Sequence, residues 1–171
     1  NLENQIIDHC INTGAMNGFI GLGGIVGFNA GGVFNCQLSD NFGNQGLNYI
    51  GGIAGLNVHA GGAKEAPDGR GRKTSTYVDV KNVNWNNFVS GTVAKCSTQE
   101  NRNISGRSYV GGIVGYNLSG AEMKSNRNNA NVTGAGDYVG GIAGANSGSI
   151  LVEEYANPNP AEYHIAGNSG E

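Results

Sequence analysis

Short apolar stretches closed by glycine and asparagine recur along this chain. They read FIGLGGIVGFN at Phe19 to Asn29, YIGGIAGLN at Tyr49 to Asn57, YVGGIVGYN at Tyr109 to Asn117 and YVGGIAGAN at Tyr138 to Asn146. The glycine before the shared isoleucine, at Gly24, Gly52, Gly112 and Gly141, recurs after 28, 60 and 29 residues. The long interval is therefore one ordinary repeat plus an insertion. A second, weaker block fixes where the insertion lies: Gly31 to Cys36 corresponds to Gly91 to Cys96, and each cysteine precedes the next glycine block by the same distance. Gly120 to Ser125 keeps that distance too, with Ser125, or Asn126 if the gap is placed differently, in the cysteine position. Ile7 to Cys10 resembles the same block from a repeat whose first half is missing.

A unit of 28 to 29 residues with several short β-prone stretches and glycine at its corners predicts an all-β protein. The expected fold is a parallel β-helix, or β-solenoid, of about four to five coils, each with about three strands of four to six residues. One such unit cannot bury its own apolar face, so the coils must stack, roughly 4.8 Å apart, and equivalent side chains become columns. Ile25, Ile53, Ile113 and Ile142 are expected to form an inward aliphatic column. Asn29, Asn57, Asn117 and Asn146 are expected to bond along the axis through their amides, and Phe19, Tyr49, Tyr109 and Tyr138 to stack as rings. Cys10, Cys36 and Cys96 share one phase and form a thiol column. Its simplest reading is a row of buried small thiols; one disulfide is the alternative, although in-register parallel neighbours offer poor geometry for it. A metal site is not expected, because a vertical row of cysteines lacks tetrahedral geometry and His9 has no histidine at matching phase.

These phases divide the chain into a solenoid over residues 1–151, an insertion over 58–90, and a last segment over 152–171 that loses the repeat and reads as a degenerate cap or linker. The insertion is where composition changes most. It holds eight of the 23 charged residues and the only tryptophan. Ala60 to Thr74 reads as a glycine-rich charged loop and Thr76 to Val83 as a strand or half-hairpin. Insertions in solenoids emerge on one face and often carry recognition. Arg70, Arg72, Lys73, Tyr77 and Trp85 are accordingly the candidate contact surface for a glycan or protein, the plainer reading being a solvated excursion whose Trp85 covers the solenoid flank.

The 171 residues include 31 glycines, only 13% are charged, and the net charge is −3, with a pI near 5.6 and a mean hydropathy of −0.30. That balance is far from a helical protein and short of the charge expected for disorder. It offers no general attraction to phosphate backbones, so nucleic-acid binding is not expected. No run approaches the roughly 18 apolar residues of a membrane helix. No HExxH, GxSxG, P-loop or GGxGxDx sequence occurs, and His9, His59 and His164 stand in unrelated contexts. Asp40 and Asp137 read as turn residues, and Glu153 with Glu154 as a solvated edge. No cofactor is implied.

The core Y-[VI]-G-G-I-[VA]-G-x-N, followed by G-x-[VI]-x-x-C, resembles the GLUG repeat of bacterial cell-surface proteins, found in haemagglutinin-like adhesins and in the non-catalytic region of IgA1-specific metallopeptidases. The resemblance covers about Ile6 to Leu151. It implies a secreted or surface-attached bacterial protein with a role in adhesion or display and without catalytic residues at these positions. With no catalytic cluster in the sequence, the expected function is an adhesin segment or a structural stalk, spacer or filament subunit. The alternative class is a carbohydrate-active β-helix, which would need two carboxylates and a cation clustered on one face. An ice-binding solenoid would need a regular Thr-x-Thr array that the repeats lack. The expected partners are a host glycan or protein, together with further repeats, another domain or another copy at the N-terminal end.

Overall fold

The repeating glycines break the chain too often for long strands, and the described strands are two to four residues long. In the computed structural model the described residues are 1, 5–39, 43–59, 66–67, 73–74 and 91–151. Among them there is no helix. Five strands make one coil. In the second coil they are Gly32–Phe34, Gln37–Leu38, Asn44–Gln45, Asn48–Gly51 and Ala54–Asn57. The first coil runs from Ile6–Asp8 to Val26–Asn29, the third from Thr92–Ala94 to Val114–Asn117, and the fourth from Glu122–Lys124 to Ala143–Asn146. Ser149–Leu151 begins a fifth. The architecture is a parallel β-solenoid, with five short strands per coil where the sequence suggested about three longer ones. Glycine corners divide each turn more finely than its apolar stretches indicate.

Equivalent strands of successive coils pair in parallel and form five sheets. The first sheet is in register through Ile7, Val33, Val93, Met123 and Ile150. The fifth is in register through Asn29, Asn57, Asn117 and Asn146. Coils two and three are direct neighbours although Val58 to Ser90 lies between their sequences, because Ala54 pairs with Val114 just as it pairs with Val26. Val58 itself still follows the coil: it is buried, and its N–H donates to the Asn29 carbonyl at 2.9 Å. Within the insertion, Ala66–Pro67 and Lys73–Thr74 form a small antiparallel pair. The expected strand over Thr76 to Val83 and the segment 152–171 lie outside the described residues.

Three apolar columns fill the solenoid. The main one contains Val33, Leu38, Ile53, Val93, Ile113 and Met123, with Ile25 and Ile142 packed against it half-buried. Ile53 and Ile113 are 0% exposed, and burial of each contributes about 1.5–3 kcal/mol relative to exposure. A second column joins Ile50, Ile104 and Val110, and a third joins Tyr49 and Leu56 with Phe28, Tyr109, Tyr116 and Leu118. No coil closes any of these columns alone, so apolar burial in this molecule is almost entirely a property of the interface between coils.

Candidate functional site

The side-chain columns are the recurrent chemistry of the described surface and core. The most ordered is the asparagine ladder. Asn29 Nδ2 donates to Asn57 Oδ1 at 2.8 Å, Asn57 Nδ2 to Asn117 Oδ1 at 2.8 Å, and Asn117 Nδ2 to Asn146 Oδ1 at 2.7 Å. Every amide therefore points the same way along the axis. Each Nδ2 also reaches carbonyls that open the next turn: Asn57 Nδ2 donates to Gly91 O at 2.7 Å and to Glu122 O at 3.1 Å. One side chain thus holds both a neighbouring rung and the corner between the fifth and first sheets. Asn1 is a further rung, its Nδ2 donating to Asn29 Oδ1 at 2.9 Å and to Gly32 O at 3.0 Å. Its phase, 28 residues before Asn29, was the signal in the sequence.

The aromatic column differs from the expected one by a member at each side. Ile20 pairs with Asn48 and Leu22 with Ile50, so the residue at the phase of Tyr49 is Gly21, and Phe19, two positions earlier, stands 75% exposed. The first repeat carries one aromatic residue at a misleading offset. The phase itself has a backbone reason: Gly21, Tyr49, Tyr109 and Tyr138 all have positive φ, at 69°, 57°, 57° and 63°. A bulky residue pays for the left-handed region, and the column offsets this by ring stacking. Centroids lie 4.7 Å apart for Tyr49 and Tyr109 and 4.6 Å apart for Tyr109 and Tyr138. Tyr116 joins from the adjacent strand, 5.5 Å from Tyr109, at the variable position between glycine and asparagine. Burial, and after it the neighbouring tyrosines Tyr138 and Tyr116, raise the Tyr109 phenol above its ordinary pKa. Tyr49 is buried and Tyr138 is 55% exposed, so the stack runs from core to surface.

The thiol column lies in the bend between the first and second sheets. Cys10 is exposed, Cys36 and Cys96 are buried, and all three are free thiols. Burial pushes the Cys36 thiol up and raises Cys96 to about 12. The fourth coil puts Asn126 at this phase, because Ala94 pairs with Lys124 and Ser97 with Arg127. Its Oδ1 accepts the Cys96 N–H at 2.9 Å and its Nδ2 donates to Val93 O at 2.8 Å. The residue just before each member, His9, Asn35, Lys95 or Ser125, again has positive φ.

Charged side chains are sparse on the described coils. Lys124 pairs with Glu122 at 2.8 Å, and His9 Nδ1 lies 2.9 Å from Asp8. Asp8 also accepts from Asn35 Nδ2 at 2.9 Å, which holds its carboxyl below the usual range. Asp8 and Glu122 share the first sheet but are three coils apart, on the order of 14 Å at the spacing of stacked strands, too far to act as an acid and base pair. Among the described residues no group of three His, Cys, Asp or Glu side chains is placed to hold a metal ion. Of the five insertion candidates, Arg70, Arg72, Tyr77 and Trp85 lie outside the described residues, and Lys73 is described only as part of its short strand. No family model, curated protein or solved structure matches the chain.

Proposed function

We propose that the chain is a non-enzymatic segment of an extracellular bacterial surface protein of the GLUG-repeat kind, acting as a stalk or spacer that carries an adhesive surface. The observation that supports this reading is the unbroken register of coils across the insertion: Ala54 pairs equally with Val26 and Val114. A solenoid built in this way extends by about 4.8 Å per coil and carries an inserted segment without interrupting its own ladders. In this reading Arg70, Arg72, Lys73, Tyr77 and Trp85 contact a host glycan or protein.

A glycan-array and host-protein binding screen tests it, comparing the full chain with a variant lacking Gly61 to Asn87. Binding by the full chain that disappears in the deletion supports adhesion through the insertion. Equal binding by both assigns recognition to the coil surface, and no binding by either leaves the spacer role alone. Turnover of a polysaccharide by the full chain would overturn the non-enzymatic reading.

A further inference from the structure

The three cysteines stand in bends rather than within strands, so the objection that paired parallel strands hold cysteines in poor geometry does not govern them. Their rungs are nevertheless fixed from both sides. Asp8 pairs with Phe34 just before Cys10 and Cys36, and Ile11 pairs with Gln37 just after them. This places the two Cα atoms one rung apart, about 4.8 Å, inside the window of roughly 4.4–6.8 Å that a disulfide spans. The Cys36 sulfur is already turned towards its neighbour, accepting the Cys10 N–H at 3.4 Å. Cys10 is exposed and free to change rotamer, its Sγ engaged only weakly with Asp8 O at 3.6 Å. Cys36 and Cys96 are one rung apart as well, but both are buried, so neither is the accessible thiol with which exchange begins.

We propose that Cys10 and Cys36 are a redox pair whose oxidation staples the first coil to the second. With a small-molecule disulfide such as oxidised glutathione, the Cys10 thiol loses its proton and attacks one glutathione sulfur. This forms a Cys10–glutathione mixed disulfide and releases one glutathione thiolate. Cys36 then loses its proton and attacks the Cys10 sulfur, forming the Cys10–Cys36 bond and releasing the second glutathione. Two protein thiols are oxidised, one glutathione disulfide is reduced, and the two protons end on the two glutathiones.

The staple acts where the coil needs it. Ile6, Ile11 and Ile20 of the first coil are all at least 40% exposed, whereas the second coil holds fully buried Val33, Leu38, Ile50 and Ile53. The first coil is thus the more weakly held of the two, and low-burial units open first. Linking residues 10 and 36 removes freedom from the opened first coil and from the unfolded chain.

The full reduced chain is incubated with oxidised glutathione, free thiols are alkylated, and intact mass, peptide map and melting midpoint are recorded. The expected product is a monomer two hydrogens lighter, with Cys10 joined to Cys36 and only Cys96 alkylated. Its midpoint rises by about 5 °C or more, and the amides of 6–12 exchange more slowly. Cys96→Ser gives the same bond, while Cys10→Ser, at an exposed position that leaves folding intact, gives none. A stable mixed disulfide at Cys10, a Cys10-linked dimer, a Cys36–Cys96 bond, or a bond that leaves the midpoint and exchange unchanged would each overturn the proposal.

Discussion

The two inner coils and the two outer coils are built from the same motif in the same register, yet the same residue has a different environment in each. Ile53 and Ile113 are fully buried, while Ile25 and Ile142 are only half-buried. Asn57 donates to three acceptors, Gly91 O, Asn117 Oδ1 and Glu122 O, whereas Asn146 Nδ2 donates to Gly148 O at an exposed position. Tyr49 lies in the core of the ring stack, and Tyr138 shows more than half its surface. A repeat therefore does not have a stability of its own. It has one interface with the coil before and one with the coil after, and an outer coil keeps fewer of the contacts that these interfaces supply.

Substitutions at equivalent phases should separate inner from outer coils. The largest contrast is expected in the glycine column. A Cβ on Gly112 would lie 2.1 Å from the Gly141 carbonyl oxygen and 2.2 Å from the Asn128 side chain, while a Cβ on Gly141 would meet nothing within 4 Å. Gly112→Ala should cost about 3 kcal/mol or more, because the obstructing atom is a backbone carbonyl oxygen of the next coil and not the end of a flexible side chain. Gly141→Ala should be close to neutral. Denaturant midpoints of the two variants measure the difference. Equal midpoints would break the distinction between an inner coil and the fourth, since Gly24 of the first coil is obstructed by Gly52 O at 2.3 Å as Gly112 is by Gly141 O.

Next in size is the asparagine ladder. Asn57→Ala removes one of the three acceptors of the Asn29 amide and the side-chain donor to Gly91 O, Asn117 Oδ1 and Glu122 O, and should cost about 2–3 kcal/mol; Asn146→Ala should cost less than half as much. Chemical denaturation of both, with hydrogen exchange at Gly91 and Glu122, checks whether the loss is at the corner between sheets. A smaller effect is expected for Ile113→Val, about 1 kcal/mol, against a few tenths for Ile142→Val. Thermal melts of the two variants sharpen how much of the core each interface contributes.

The smallest effect is alkaline. Because burial raises the Cys96 thiol from its ordinary value near 9 to about 12, the unfolded chain ionises it first. The folded state keeps its full stability below pH 9 and loses it progressively as pH rises from about 9 towards 12. Between pH 8 and 9.5 the loss is on the order of 1 kcal/mol. It should shrink in Cys96→Ala, where the raised Cys36 thiol still contributes, and be retained in Cys10→Ser, as urea midpoints at the two pH values will show.

The fold class was legible because a β-solenoid writes itself as a period: Gly24, Gly52, Gly112 and Gly141 share one neighbour pattern, and Cys36 and Cys96 locate the insertion. Strand number was less legible, since a strand of two residues such as Gln37–Leu38 carries no alternation to detect. The ring column shows how a sequence match can mislead. Phe19 looks like the counterpart of Tyr49, yet the backbone register gives that place to Gly21, where positive φ favours glycine. Tyr116 was hidden because it joins its column from a neighbouring strand, and of the two residues the spacing offered at the cysteine position, Ser125 and Asn126, the register of the bend selects Asn126.

By itself the sequence determined the phase of this protein, which residues recur and therefore which must stack, because parallel coils can satisfy their backbone and their apolar residues only by aligning like with like. Tertiary structure alone decided what each phase is worth. It buried Ile53 and left Ile25 half-covered, it turned every ladder amide in one direction, and it exposed Cys10 while covering Cys36 and Cys96. These differences depend on which coils lie on either side, and that neighbourhood is set by the stack rather than by any local stretch of the chain.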